Sequence, residues 1–309
     1  MGNPVVSSDF TRLLVDDLRE VAESAKKFAD LNSMIPQLFN VATSDSAWEE
    51  FFEVGGVPDI QEFTGAIPYL AIAPGFHKKI EHREYAGGLQ IERKLLDDKK
   101  YGVLENRASG LMESAMRVRE KKGARAWQYA FSIAFDFMTS EEGVAWCSNS
   151  HTTKSGVSTS TGFDNLNTTA LSKTSVATAR LNMRRFKTDI GERYEVSDNL
   201  ALVVPDNLVD TAEEIAGTIK SLDTGDGNIN PQYGRYKIIP YLRLDDVDTN
   251  NWFLVDMSRL KQELIFFDRI PAEYKTTIDF DTYRNLQAVY MRVSYGWKDW
   301  RSILGSQVS

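Results

Sequence analysis

Only one cysteine, Cys147, occurs in 309 residues, which excludes an intrachain disulfide framework and fits a reducing compartment. A lone thiol of this kind is expected to pack as a small hydrophobe. Long apolar runs are missing as well. Runs such as Ala71 to Ala73 or Leu264 to Phe267 fall far short of the ~20 residues that span a bilayer. The opening MGNPVVSSDF has neither a basic leader nor an apolar h-region, so no export signal and no membrane partner are expected. Positive charge is not in excess either: 36 basic against 44 acidic residues leave a net charge of -8. That balance argues against a surface built to grip a phosphate backbone.

Groups suited to catalysis are scarce. Of three histidines, His77 and His82 stand five residues apart, on opposite faces of a strand, which argues against a shared metal. His151 lies near Cys147, Ser148 and Ser150, where a Cys-His or Ser-His pair could serve a hydrolase. A loop histidine bonded to backbone groups is the more ordinary outcome. Asp226, Asn228 and Asn230 open like a calcium loop, but Pro231 stands at the glycine position and Lys237 at the closing acid. Glu141-Glu142 is most simply a helix end or a solvated feature. No G-x-x-x-x-G-K-S/T, G-x-S-x-G or H-E-x-x-H occurs. No catalytic, cofactor-binding or metal-ligating residues, and hence no enzyme and no cofactor, are expected.

What the chain does hold is 42% hydrophobic and 26% charged residues, enough for one large core or two smaller ones, and two subdomains are expected. The most informative stretch is Ile67 to Val103. An apolar opening, IPYLAIAPGF, runs into KKIEHREYAGGLQIERKLLDDKKYG. Ile80 to Tyr85 alternate, Ala86-Gly87-Gly88 offers a turn, and Leu89, Ile91 and Arg93 alternate on the way back, which predicts a charged hairpin. Isolated hairpins are marginal in water, so this arm needs a partner. Its charges, Lys78 among them, are mixed in sign, which suits a second copy of the chain better than nucleic acid. A solvated surface hairpin is the alternative. On the first reading, Lys78 to Lys94 adds little to its own subunit's core and is dispensable for folding.

Thr11 to Leu31 reads as an amphipathic helix with Asp9 as N-cap and Leu14, Leu18, Val21, Ala22, Ala25 and Phe28 on one face. An irregular, aromatic-bearing stretch through Trp48 and Phe52 follows. Tyr101 to Lys122 is a long helix, broken or kinked at Gly123 before a buried helical piece, Ala124 to Met138. Gly143 to Leu171 is a long ordered loop. Helices are expected at Ser172 to Lys187 and Asn207 to Leu222, and strands at Leu200 to Val204, Arg235 to Leu244, Trp252 to Val255, Leu264 to Phe267 and Leu286 to Tyr295. The loop Asp223 to Gly234 lies between them.

This order, with EGVAWCSNSH (142–151), GFDNLNTTALS (162–172), ALVVPDNL (201–208) and AVYMRVSYGWKDW (288–300), resembles the major capsid proteins of tailed bacteriophages with the Hong Kong 97 fold, especially the Mu-type major head subunits. The resemblance covers about Phe63 to Ser309. It implies an α+β fold with an N-terminal arm and lead-in over 1–62, an extended E-loop over 63–100 and a P-domain spine helix over 101–140. An A-domain over 141–255 and P-domain strands over 256–309 would complete it. It further implies a head protein that assembles with itself through pentamers and hexamers into an icosahedral shell around double-stranded DNA, held without sequence-specific contacts. The same resemblance implies scaffolding, portal and decoration partners, a virion location and assembly in the host cytoplasm. The Asp223 to Gly234 loop would sit near a capsomer axis. An encapsulin-type nanocompartment is the nearest alternative, and a Cys147 or His151 hydrolase the alternative of another class.

Overall fold

In a computed structural model, described over residues 7–308 apart from 55, 64, 66, 68, 71, 73, 93, 95–100 and 220–228, the first element is helix α1 (Ser7–Leu31). It starts before Asp9, so Asp9 is not its cap. Leu18 and Ala22 are buried, whereas Phe28 faces outward. After a short α2 (Ile35–Leu38), the stretch expected to be irregular forms strands β1 (Asn40–Ala42) and β2 (Trp48–Val54).

The charged segment does not form the predicted hairpin. β3 (Pro74–Glu81) and β4 (Arg83–Ile91) belong to different sheets, and the chain changes sheet at His82. β4 runs straight through Ala86-Gly87-Gly88 and pairs antiparallel with β11 (Asn285–Trp297). Alternation specifies a strand but not its neighbour, and glycine serves close backbone approach as readily as a turn. A Cβ on Gly88 would come within 3.0 Å of the Gln287 carbonyl oxygen. Lys78, counted among the exposed charges, is instead buried, its Nζ donating to the Lys298 carbonyl at 2.5 Å.

Helix α3 (Tyr101–Gln128) continues unbroken through Gly123 and is about 42 Å long at 1.5 Å per residue. Gly123 is there for packing: a Cβ would lie 2.8 Å from Ile35 Cγ1. The second helical piece expected over Ala124 to Met138 ends early, and the chain turns after Gln128 and enters β5 (Met138–Ser140). Arg119 locks α3 onto the long strand β10 (Leu264–Ile278), donating to both Asp268 oxygens at 3.0 and 2.5 Å. Such bidentate pairs fix orientation as well as adding energy.

Three sheets result among the described residues. β1, β10, β11 and β4 form one, with α1 and α3 covering a face through Leu18, Leu104, Met112, Tyr274, Val289 and Met291. β2, β3 and β5 form the second. The third runs in the order β6, β12, β9, β7, β8, from β6 (Leu166–Asn167), β7 (Leu200–Val204), β8 (Tyr236–Pro240), β9 (Trp252–Asp256) and β12 (Ile303–Ser306). β7 and β9 are buried along their whole length, as suits central strands.

Helix α4 (Lys173–Met183) begins at a reciprocal capping box between Ser172 and Ser175. The helix expected from Asn207 is shorter, a 3-10 turn, α5 (Val209–Ala212) and one π turn to Gly217, and its last expected residues lie outside the described ones. Arg235 to Leu244 yields only β8 and a 3-10 turn, because Pro240 has no N–H for the ladder. Helix α6 (Met257–Glu263) is capped by the buried Asp256, which accepts from the N–H groups of Ser258 and Arg259.

Gly143 to Leu171 is a long loop, as expected, with only β6 in it. It is held by a buried amide. Asn165 Nδ2 donates to the carbonyls of Trp146, Trp300 and Ile303 at 2.9 to 3.3 Å, and its Oδ1 accepts the Ser148 N–H at 2.7 Å. A satisfied buried network of this kind orders backbone that has no ladder of its own. Beside it Trp146 stacks on Trp297 at 5.3 Å and meets Trp127 edge-on at 5.2 Å.

Candidate functional site

β2 and β3 pair from Trp48 opposite Glu81 to Val54 opposite Pro74, which makes a two-stranded arm whose connection is 55–73. In that connection Val57, Ile60, Phe63, Ile67, Tyr69 and Ile72 are exposed, Ile60 at 91% and Tyr69 at 97%. Apolar side chains gathered on one projecting segment mark a surface that another molecule covers. The arm is therefore 48–81, centred upstream of where the alternating charges pointed. Its signal was present in the sequence: Trp48, Glu50, Phe52 and Val54 alternate with Glu49, Phe51 and Glu53.

The base of the arm is tied to the body by a buried charge cluster. Arg301, just before β12, is 3.0 Å from Glu53 of β2, 2.6 Å from Asp189 and 2.9 Å from Asp299. Burial pushes the Glu53 carboxyl up to about 7, with Asp299 and Asp189 adding to the effect against Lys78 and Arg301. Asp299 is held below the usual range: burial opposes its ionisation, but Arg301 and Lys78 outweigh it. Burial also raises Glu263, with Asp299 adding to it. Removing one partner from such a cluster strands the other charges, which is why buried pairs resist single substitutions poorly. None of these residues stood out in the sequence, since they come from four distant segments.

The three histidines and the thiol lie apart from this cluster. His77 sits 3.5 Å from Glu50 on the arm. His82 is buried between Ser294 and Ser44 at 2.8 and 3.1 Å, and burial first, then Arg269 and Arg292, lower its basicity. His151 bonds side chains, not the backbone groups expected: Glu142 at 3.1 Å and Asn165 at 3.1 Å, with its ring stacked on Trp300 at 4.2 Å. Glu142 is not solvated. Burial disfavours its charge, yet bonds from His151 and the Thr152 N–H keep its carboxyl below the usual range. Cys147 is fully buried, and burial pushes its thiol far up, which disfavours the thiolate that a nucleophile needs.

Of the calcium-like triplet, Asp226 and Asn228 lie outside the described residues. Asn230 instead spends its amide on the Ile215 and Thr218 carbonyls. Among the described residues no group of three or more His, Cys, Asp or Glu could hold a metal ion, and no helix is long and apolar enough to cross a membrane.

An arm, a long helix lying on a sheet and a second sheet carrying a loop-rich domain are the parts of a Hong Kong 97-like capsid subunit, and solved structures agree. The capsid of a native GTA particle superposes with a TM-score of 0.55 at 12% identity, over 89% of this chain and 89% of that one. The mature capsid of bacteriophage PhiM1 gives 0.57 at 10% identity over 90% and 87%. A structure from Mycobacterium phage Patience gives 0.56 at 10% over 94% and 88%. No curated protein matches the sequence. The sequence model of the phage capsid protein family matches residues 78–305, and the chain belongs to that family. It is a major capsid protein, a shell-forming structural subunit of the virion.

Proposed function

We propose that this subunit builds the pentamers and hexamers of an icosahedral head enclosing double-stranded DNA, and that within its family it is a Mu-type head subunit. The observation that carries the reading is the arm of 48–81, whose connection exposes Val57, Ile60, Phe63, Ile67, Tyr69 and Ile72. In the shell each arm lies on a neighbour, so residues 48–81 take the role of the extended loop in place of 63–100. α3 is the spine, with β10 and β11 beside it. The sheet of β6 to β9 is the body of the A-domain, and β12 belongs with it because it pairs with β9. The strings at 142–151, 162–172, 201–208 and 288–300 support the narrower assignment. Scaffolding, portal and decoration proteins are the expected partners, and assembly takes place in the host cytoplasm before DNA enters.

Negative-stain microscopy and sedimentation of the purified full-length chain test this. Closed shells or capsomer rings are expected. A monomer across a wide range of concentration and salt, with a scaffold supplied, is the opposite result.

A further inference from the structure

The third sheet carries basic charge at its β6 edge and acidic charge beyond the ends of β7 and β8. At the β6 edge a cleft of about 720 Å³ is lined by Arg185, Lys187 and Arg193 together with Leu166, Asn167 and Asp164. Lys187 Nζ reaches only the Thr161 hydroxyl, at 3.2 Å, and among the described residues neither arginine has an ion-pair partner. Beyond the ends of β7 and β8 the turn Asp245 to Asp248 holds three carboxylates, of which Asp246 faces Arg243 across 3.9 Å. The Asp206 N–H donates to Asp245 at 3.1 Å, which adds a fourth carboxylate to the same corner. Leu242 and Val247 stand exposed among these acids.

A ring of identical subunits needs two different, mutually complementary patches on each copy, because its contacts are heterologous. A concave basic edge at β6 and an acidic turn beyond the ends of β7 and β8 are two such patches. We infer that the acidic turn of one copy, Asp245 to Asp248 with Asp206, seats in the Arg185, Lys187 and Arg193 cleft of the next copy in the ring. Leu242 and Val247 then lie against the cleft wall near Leu166. Three cations neutralise too few phosphates to make the cleft a DNA site by itself, whereas opposite charge in register sets partner choice and orientation between proteins. The inference rests on the shell reading above.

The test uses charge exchange on the full chain. Arg185→Glu with Arg193→Glu, and separately Asp206→Arg with Asp246→Arg, alter exposed side chains. Each pair is expected to abolish rings and shells while the subunit melts as the wild type does, and the four changes together restore assembly. Should either variant fail to fold, Arg185→Gln with Arg193→Gln replaces it. That variant is expected to need roughly tenfold more protein to assemble and to lose part of the wild type's salt sensitivity. Wild-type assembly by any reversed or neutralised variant overturns the seating while leaving the shell reading intact, and so does failure of the fourfold exchange to restore assembly. A wild type that stays monomeric in the same runs removes the shell reading itself.

Discussion

Glu53, at the base of the arm, is a residue at which burial predicts a response to pH. Its side chain is 12% exposed, and its carboxyl is raised from 4.5 to about 7 by burial and by Asp299 and Asp189. A raised folded-state value means that the native protein holds the proton more tightly than the unfolded chain. This contribution is complete below about pH 4.5 and is lost as pH rises through 7. Glu53→Gln, which copies the neutral form, is expected to flatten the fall in stability over that window. It should be more stable than the wild type at pH 8 by on the order of 2 kcal/mol. Thermal melts of both proteins between pH 4.5 and 8 check this, and a wild type that gains stability with pH across the window would contradict it. Asp299 carries the opposite sign, since its lowered value contributes stability above the ordinary aspartate range that is lost in acid. Arg301→Ala removes the cation shared by Glu53, Asp189 and Asp299 and is expected to cost about 3 to 5 kcal/mol in denaturant unfolding. At Gly305 a Cβ would stand 2.7 Å from Phe131 Cε1 and 2.8 Å from Cys147 Sγ. Gly305→Ala is therefore expected to cost about 1 to 3 kcal/mol by overpacking.

At the scale of elements, the arm and the strand after it have separate fates. Replacing 57–72 by a short Gly-Ser linker removes the exposed apolar side chains and leaves the β2 and β3 ladder to close on itself. The subunit should keep a cooperative melt and lose stable shells, as read by circular dichroism and by microscopy. Loss of the melt would place the tip in its own subunit's core. The wider deletion of Lys78 to Lys94 is no longer expected to be tolerated. It would cut away half of β3 and all of β4, leave β11 with an unpaired edge, and take out the buried Ile80 and Ile91. Helix α3 owes its length to favourable residues through Gly123 and Ala124, and a glycine inside a helix costs only about 1 kcal/mol against alanine. Tertiary contact with Ile35 accounts for the glycine better than a kink does.

For the whole molecule, 44 acidic against 36 basic residues, with no basic run longer than two, imply that few phosphates are neutralised by one subunit. Duplex DNA should bind the free subunit weakly, and salt should remove it easily. A gel-shift affinity below micromolar at about 150 mM salt would reopen the nucleic-acid-binding class. Much of the architecture was legible from pattern alone. The long helix, β7, β9 and β11, the helix starting after Ser172 and the ordered loop after Gly143 each rest on local periodicity or turn chemistry, which short-range sequence carries. Sheet partners were not legible, because period-two alternation looks the same in a free hairpin and in a strand paired across 200 residues. Arg301 meets Glu53 and Asp189 only once β2, β12 and the loop after α4 are folded together, and no spacing in the chain announces that. The sequence by itself determined the long helix and the strands β7, β9 and β11 with their inward faces, since these follow from local stereochemistry and composition. Tertiary structure alone decided which segment projects as the arm, what anchors it and which charges face outward at the β6 edge and beyond the ends of β7 and β8, because burial and pairing belong to residues distant in sequence and near in space.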